Sequence, residues 1–181
     1  MSIIRLFRAP LGAVIPAVVL LAVLAGCNTA LVPPCPGVRV DSATASLTKF
    51  RDGPGRDITD IEYEARIVGF KGECVQDEEE VEVIFDVDFA LAGGPAGKAG
   101  PVTLYYFVAI PQFFPSENGK KVMEMKHSLP GRAAVPARFT EKGVRVKIPL
   151  KKDQPAASFD VYVGFQLTTD QVEHNRATRQ R

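Results

Sequence analysis

The chain has no tryptophan, only two histidines and only three cysteines among its 181 residues. No CxxC pair occurs, and His127 and His174 lie far from the cysteines in sequence, so a thiolate or mixed metal site has no support. Also missing are GxSxG, HExxH and a glycine-rich phosphate loop between a strand and a helix, so no catalytic constellation is assigned and no cofactor is implied. An excess of either charge is lacking too: 22 basic and 21 acidic residues leave a formal net charge of +1. That balance excludes a whole-protein nucleic-acid footprint. The 46% hydrophobic content is too high for a disordered chain. The length suits one domain rather than two, since roughly 100–150 residues is the common domain size.

A long apolar run is missing as well. Leu11 to Leu24 is uncharged and apolar but short of the roughly 20 residues a membrane span needs, and Pro16 interrupts it. Arg5 and Arg8 precede this run, and the small residues Ala25 and Gly26 follow it. These are the three parts of a secretory signal. The stretch Leu24-Ala25-Gly26-Cys27 resembles the lipobox of bacterial lipoproteins. The resemblance implies that the Cys27 thiol receives a diacylglycerol group and that the chain is cut just before it. The mature protein would then be tethered to a membrane surface, since two or more acyl chains give stable anchoring. Asn28 follows, where aspartate would resemble an inner-membrane retention signal, so the periplasmic face of the outer membrane is expected.

With Cys27 lipidated, Cys35 and Cys74 remain. Export puts them in an oxidising compartment, where a leftover pair bridges, so a Cys35–Cys74 disulfide is expected.

Residues 38 to 167 read as strands. Ile61, Tyr63, Ala65 and Ile67 alternate with Glu62, Glu64 and Arg66, and Val81, Val83, Phe85, Val87, Phe89 and Leu91 alternate with Glu82, Ile84, Asp86 and Asp88. The same period-2 pattern recurs from Val144 to Leu150 and from Phe159 to Leu167. Two more strands are expected at 102–113 and 121–128, joined through Glu117-Asn118-Gly119-Lys120, whose Asn-Gly step is a strong hairpin signal. A first strand is expected near 38–49. Pro149 marks a strand end or an edge.

About seven strands suggest an all-β fold: an immunoglobulin-like or fibronectin-like antiparallel β-sandwich with a short C-terminal helix, or alternatively a small β-barrel. The missing tryptophan, and cysteines spaced too closely for the usual inter-sheet bridge, argue against a true immunoglobulin domain. The expected organisation is a signal peptide at 1–26, a lipid-anchored tether at 27–36, the sandwich at 37–167, and a short helix with a basic tail at 168–181. Thr168, Thr169 and Asp170 can cap that helix, and Asp170 to Glu173 fits a capping box.

The near-zero net charge is a cancellation. Asp52 to Asp88 holds thirteen acidic and three basic residues, while Lys98 to Lys152 holds eleven basic and three acidic ones. Either neighbouring strands carry complementary charge, or two surfaces of opposite sign face different partners. Three clusters merit a look for chemistry. Glu73 with Asp77, Glu78, Glu79 and Glu80 offers oxygen ligands of the kind calcium takes, without an EF-hand pattern. Met123, Met125 and His127 share one strand face, as a copper site would require. Phe113 and Phe114, between Pro111 and Pro115, cannot both face the core, so one is a candidate binding aromatic.

The whole chain also resembles small lipoproteins of the Gram-negative envelope, through Cys35-Pro36 and the ending Gly164-Phe165-Gln166-Leu167-Thr168 with Asn175-Arg176. That resemblance implies no activity. The sequence points to a membrane-anchored envelope lipoprotein acting as a non-enzymatic protein-binding or structural module. Its expected partners are the membrane, through the lipid anchor, and an envelope protein, with no nucleic acid. An envelope hydrolase and a small-ligand or metal carrier are the alternatives.

Overall fold

The structure is a computed structural model, and it describes residues 33–132 and 135–179. The expected signal segment and Cys27 lie outside the described residues. The described residues form one compact unit.

Eight strands and one helix follow in order: β1 (Gly37–Val40), β2 (Ser46–Phe50), β3 (Ile61–Gln76), β4 (Glu80–Gly93), β5 (Gly100–Ala109), β6 (Lys120–Leu129), β7 (Ala137–Pro149), β8 (Asp160–Phe165) and α1 (Thr169–Arg179). They build two four-stranded sheets, ordered β1-β8-β5-β6 and β2-β3-β4-β7. β1 pairs with β8 in parallel, and the other pairs are antiparallel. The fold is a β-sandwich. Two separate sheets with free edges set the barrel alternative aside.

Alternation explains the core. Val81, Val83, Phe85, Val87, Phe89 and Leu91 are all buried on the inner face of β4, and Val161, Val163 and Phe165 answer them from β8. Leu104, Tyr106 and Val108 complete the facing layer from β5. Phe89 holds the centre, with its ring 5.5 Å from Tyr106, 5.3 Å from Phe139 and 5.7 Å from Phe165. Burying each such side chain contributes about 1.5–3 kcal/mol.

Four sequence expectations are corrected. The single first strand is two strands, β1 and β2, in different sheets, because the chain turns at 41–45 between them. β3 runs on to Gln76, well past the alternation that ends at Ile67. A bulge at Val68 shifts the parity, so Phe70, Gly72 and Cys74 pair with the inner residues Val87, Phe85 and Val83. The β5–β6 connection is not a two-residue Asn-Gly hairpin. β5 stops at Ala109, and 3₁₀ turns at Pro111–Phe113 and Glu117–Gly119 carry the chain across. The capping box runs from Thr168, one of the three expected caps, to Gln171 rather than from Asp170 to Glu173: Gln171 N–H donates to Thr168 Oγ1 at 3.4 Å, and Thr168 N–H donates to Gln171 Oε1 at 3.0 Å.

The disulfide between Cys35 and Cys74 is present, with Cα atoms 5.8 Å apart. Cys35 leads into β1 of one sheet and Cys74 lies in β3 of the other, so the bridge ties the two sheets despite its short spacing. The helix is docked as well. The buried Asn175 amide donates to Ala43 O at 2.9 Å and Ser46 O at 2.8 Å, and His174 meets Phe50 edge-on at 5.1 Å.

Candidate functional site

The flank between β6 and β7 is where the sandwich opens. Among the described residues β6 pairs only with β5, and β7 only with β4, so no ladder joins the two. Their inward rows differ from the rest of the core. On β4 every inward residue is buried, whereas Met123 and His127 on β6, and Phe139, Glu141, Val144 and Val146 on β7, are half-buried.

One end of this seam is closed. The His127 ring stacks on Phe139 at 3.5 Å between centroids, and His127 Nε2 lies 3.7 Å from Glu141 Oε1. Beyond that contact the strands part around a cavity of about 500 Å³. Its apolar lining is Tyr106, Val108, Ile110, Phe113, Met123, Val144 and Val146, and charged side chains rim it. Small-molecule sites run from roughly 300 to 1,000 Å³, so its size fits one.

The rim charges divide into engaged and free groups. Lys147 pairs with Glu80 at 2.7 Å and Arg145 with Glu82 at 3.4 Å, both on the outer face. Lys120 sits over the Phe107 ring at 4.4 Å. The Lys121 and Lys142 side chains have no ion pair or hydrogen bond among the described residues. Lys121 is placed on the inward row of β6, opposite the inner residue Val108 of β5. Lys142 belongs to a bulge in β7, where Gly143 takes a positive φ of 65° and its N–H donates to Asp86 Oδ1 at 2.9 Å. At the closed end, burial and then the negative charge of Glu141 push the Tyr106 hydroxyl up to about 12.

The two phenylalanines separate cleanly. Phe113 lines the cavity and packs on Phe159, with centroids 5.6 Å apart. Phe114 is 84% exposed at the rim of the same turn. Cys27 lies outside the described residues, and Cys35 and Cys74 serve as the inter-sheet tie.

The acidic cluster resolves into a hairpin. Asp77 accepts hydrogen bonds from the N–H groups of Glu80 and, second, Glu79, which hold its carboxyl below the usual carboxylate range, while the Glu80 side chain pairs with Lys147. No group of three or more His, Cys, Asp or Glu side chains able to hold a metal ion occurs among the described residues. Met123, Met125 and His127 do share the inward row of β6. Met125 is buried in the core and His127 is turned onto Phe139. His127 makes no hydrogen bond to a serine, threonine or cysteine among the described residues.

The residues missed by sequence reading are Lys121, Lys142, Val144 and Val146 as one lining. The signal that could have found them is Lys121 itself. It continues the Met123, Met125, His127 alternation and so puts a cation on an apolar row.

Fold and flank together define an all-β sandwich with one amphipathic seam. No family model, curated protein or solved structure matches the chain.

Proposed function

We propose that the protein is a lipid-anchored envelope lipoprotein whose sandwich is a non-enzymatic binding module, and that the β6–β7 seam is its binding site. The lipobox residues Leu24 to Cys27 support the anchor. The observation that carries the binding role is the cavity of about 500 Å³ between two strands not paired with each other, with apolar lining and two lysine side chains unpartnered among the described residues. A merely structural sandwich would close this flank with side chains, as it does around Phe89.

Two measurements on the full-length chain test this. Cys27→Ala is expected to move the protein from the membrane fraction to the soluble fraction, and retention in the membrane would refute the anchor. A photocrosslinking residue at Val144 is expected to give discrete adducts in cells that one at Thr140, on the outer face, does not. Identical adduct patterns from the two positions would refute the seam as the site.

A further inference from the structure

We propose that the seam holds a monomeric, single-chain anionic amphiphile, with its acyl chain along the apolar lining and its acidic head between Lys121 and Lys142. This deepens the binding-module reading and rests on it.

The shape comes first. Packed sheets lie about 10 Å apart, so the space between their edges is one side-chain layer deep. An extended acyl chain can fill such a layer in place of missing side chains. The residues it would touch are Val108, Ile110, Met123, Val144 and Val146, all without charge. The contact of His127 with Phe139 and Glu141 stops the groove at one end, so the chain has a floor and an end wall.

The charge comes second. A cation on an inward row beside apolar neighbours is costly unless it reaches water or meets an anion. Lys121 ends an otherwise apolar inward row and reaches water, and among the described residues no carboxylate pairs with it or with Lys142. The two acids of the lining stand apart from these lysine side chains: Glu141 lies at the closed end, 3.7 Å from His127 Nε2, and Glu117 belongs to the exposed turn before β6. An acidic head group therefore complements the two free cations, while a neutral one leaves them unanswered.

The edges come third. A partner strand would need a clean run of backbone donors and acceptors. β6 carries Lys121 on its inward row, and β7 carries Glu141 inward, a bulge at Lys142–Gly143 and Pro149 at its end. Inward charges, bulges and prolines are the devices by which edges resist strand addition. An occupant that needs no backbone ladder fits this seam, and an added β-strand does not.

The test uses the full-length protein in zwitterionic vesicles with a palmitic acid analogue carrying a diazirine on its chain. Adducts are expected on the peptides holding Met123 and Val144 to Val146. Unlabelled palmitate should displace the probe at about tenfold lower concentration than hexadecanol, which lacks the charge. The double variant Lys121→Glu, Lys142→Glu should cut labelling about tenfold with the melting temperature unchanged, both side chains being exposed. Val144→Trp should block labelling by filling the groove, and if it fails to fold, the lysine variant decides alone. The proposal is overturned by equal labelling at Val75 or Phe114, by equal competition from hexadecanol, or by labelling that needs anionic vesicles and ignores the lysine change. Should a photocrosslinker at Val144 capture an acidic protein that palmitate does not displace, the ligand class fails and the binding module stands. Absence of any seam-dependent adduct would end both.

Discussion

His127 and Glu141 meet across a seam that no backbone ladder closes, with Nε2 and Oε1 3.7 Å apart. The imidazole also lies flat on Phe139, which in turn stacks on Phe89 at 5.3 Å. This chain of contacts connects the exposed edge of the sandwich to the centre of its core. Phe139→Ala is expected to cost about 2–4 kcal/mol, since it removes both stacks and opens the closed end. His127→Ala should cost about 1 kcal/mol or less, as befits a partly exposed pair. A double-mutant cycle in urea should give a coupling of about 0.5–1.5 kcal/mol between the two rings. Additive effects would show that the stack does not hold the seam.

The disulfide ties the sheets at 39 residues' separation. In the chain-entropy model a loop of that size is stabilised by about 4 kcal/mol. Denaturation of the oxidised and reduced protein should differ by that order. A shift of the midpoint below about 1 kcal/mol would place the tie in a region that opens before global unfolding.

Asn175 is the anchor of the C-terminal helix, donating to two backbone carbonyls while itself buried. Asn175→Ala leaves both carbonyls without this donor and should cost about 1–3 kcal/mol. Asn175→Asp should cost more, because a carboxylate has no N–H to offer and would be desolvated. Equal stabilities for the two variants, measured by thermal melts, would contradict this account.

Tyr106 gives a pH signature. Its hydroxyl is raised to about 12, first by burial and second by Glu141. The folded state therefore keeps a proton that the unfolded state releases near the ordinary tyrosine value of about 10. Its contribution to stability is complete below about pH 10 and is lost as pH rises toward about 12. Tyr106→Phe should remove that part of the alkaline slope, and tyrosinate absorbance should lose its late-titrating component. In Glu141→Gln the same component should move to lower pH.

The paired phenylalanines make the sharpest contrast. Phe114→Ala should change stability by no more than about 0.5 kcal/mol, because the ring is exposed. Phe113→Ala should cost about 1–3 kcal/mol through its lost packing on Phe159. Equal costs in a urea titration would mean that the turn holds both rings in the core.

Much of this was legible from the alternation. The inward rows of β4 and β8 are those read from the sequence, because period 2 leaves one face no choice once the other is charged. The acidic and basic blocks also resolve as neighbours: β4 lies beside β7, and Glu80 and Glu82 meet Lys147 and Arg145. The second half of β3 was not legible, since the extra residue at Val68 inverts the pattern and hides the strand. Nor was the cavity, since Lys121 and Val144 are distant in sequence.

The sequence by itself determined which residues of β4 and β8 turn inward, that Cys35 and Cys74 are candidates to bridge, and that Phe113 and Phe114 must part company. Each follows from a local rule of chemistry or period. Only the tertiary structure decided which strands would lie at the edges. That choice leaves β6 and β7 facing each other without a ladder, joined at His127 and parted beyond it. An inward row becomes core when a second sheet covers it, and becomes a groove when the covering strand is absent. Local patterning cannot distinguish the two, because burial is a property of the neighbours and not of the strand.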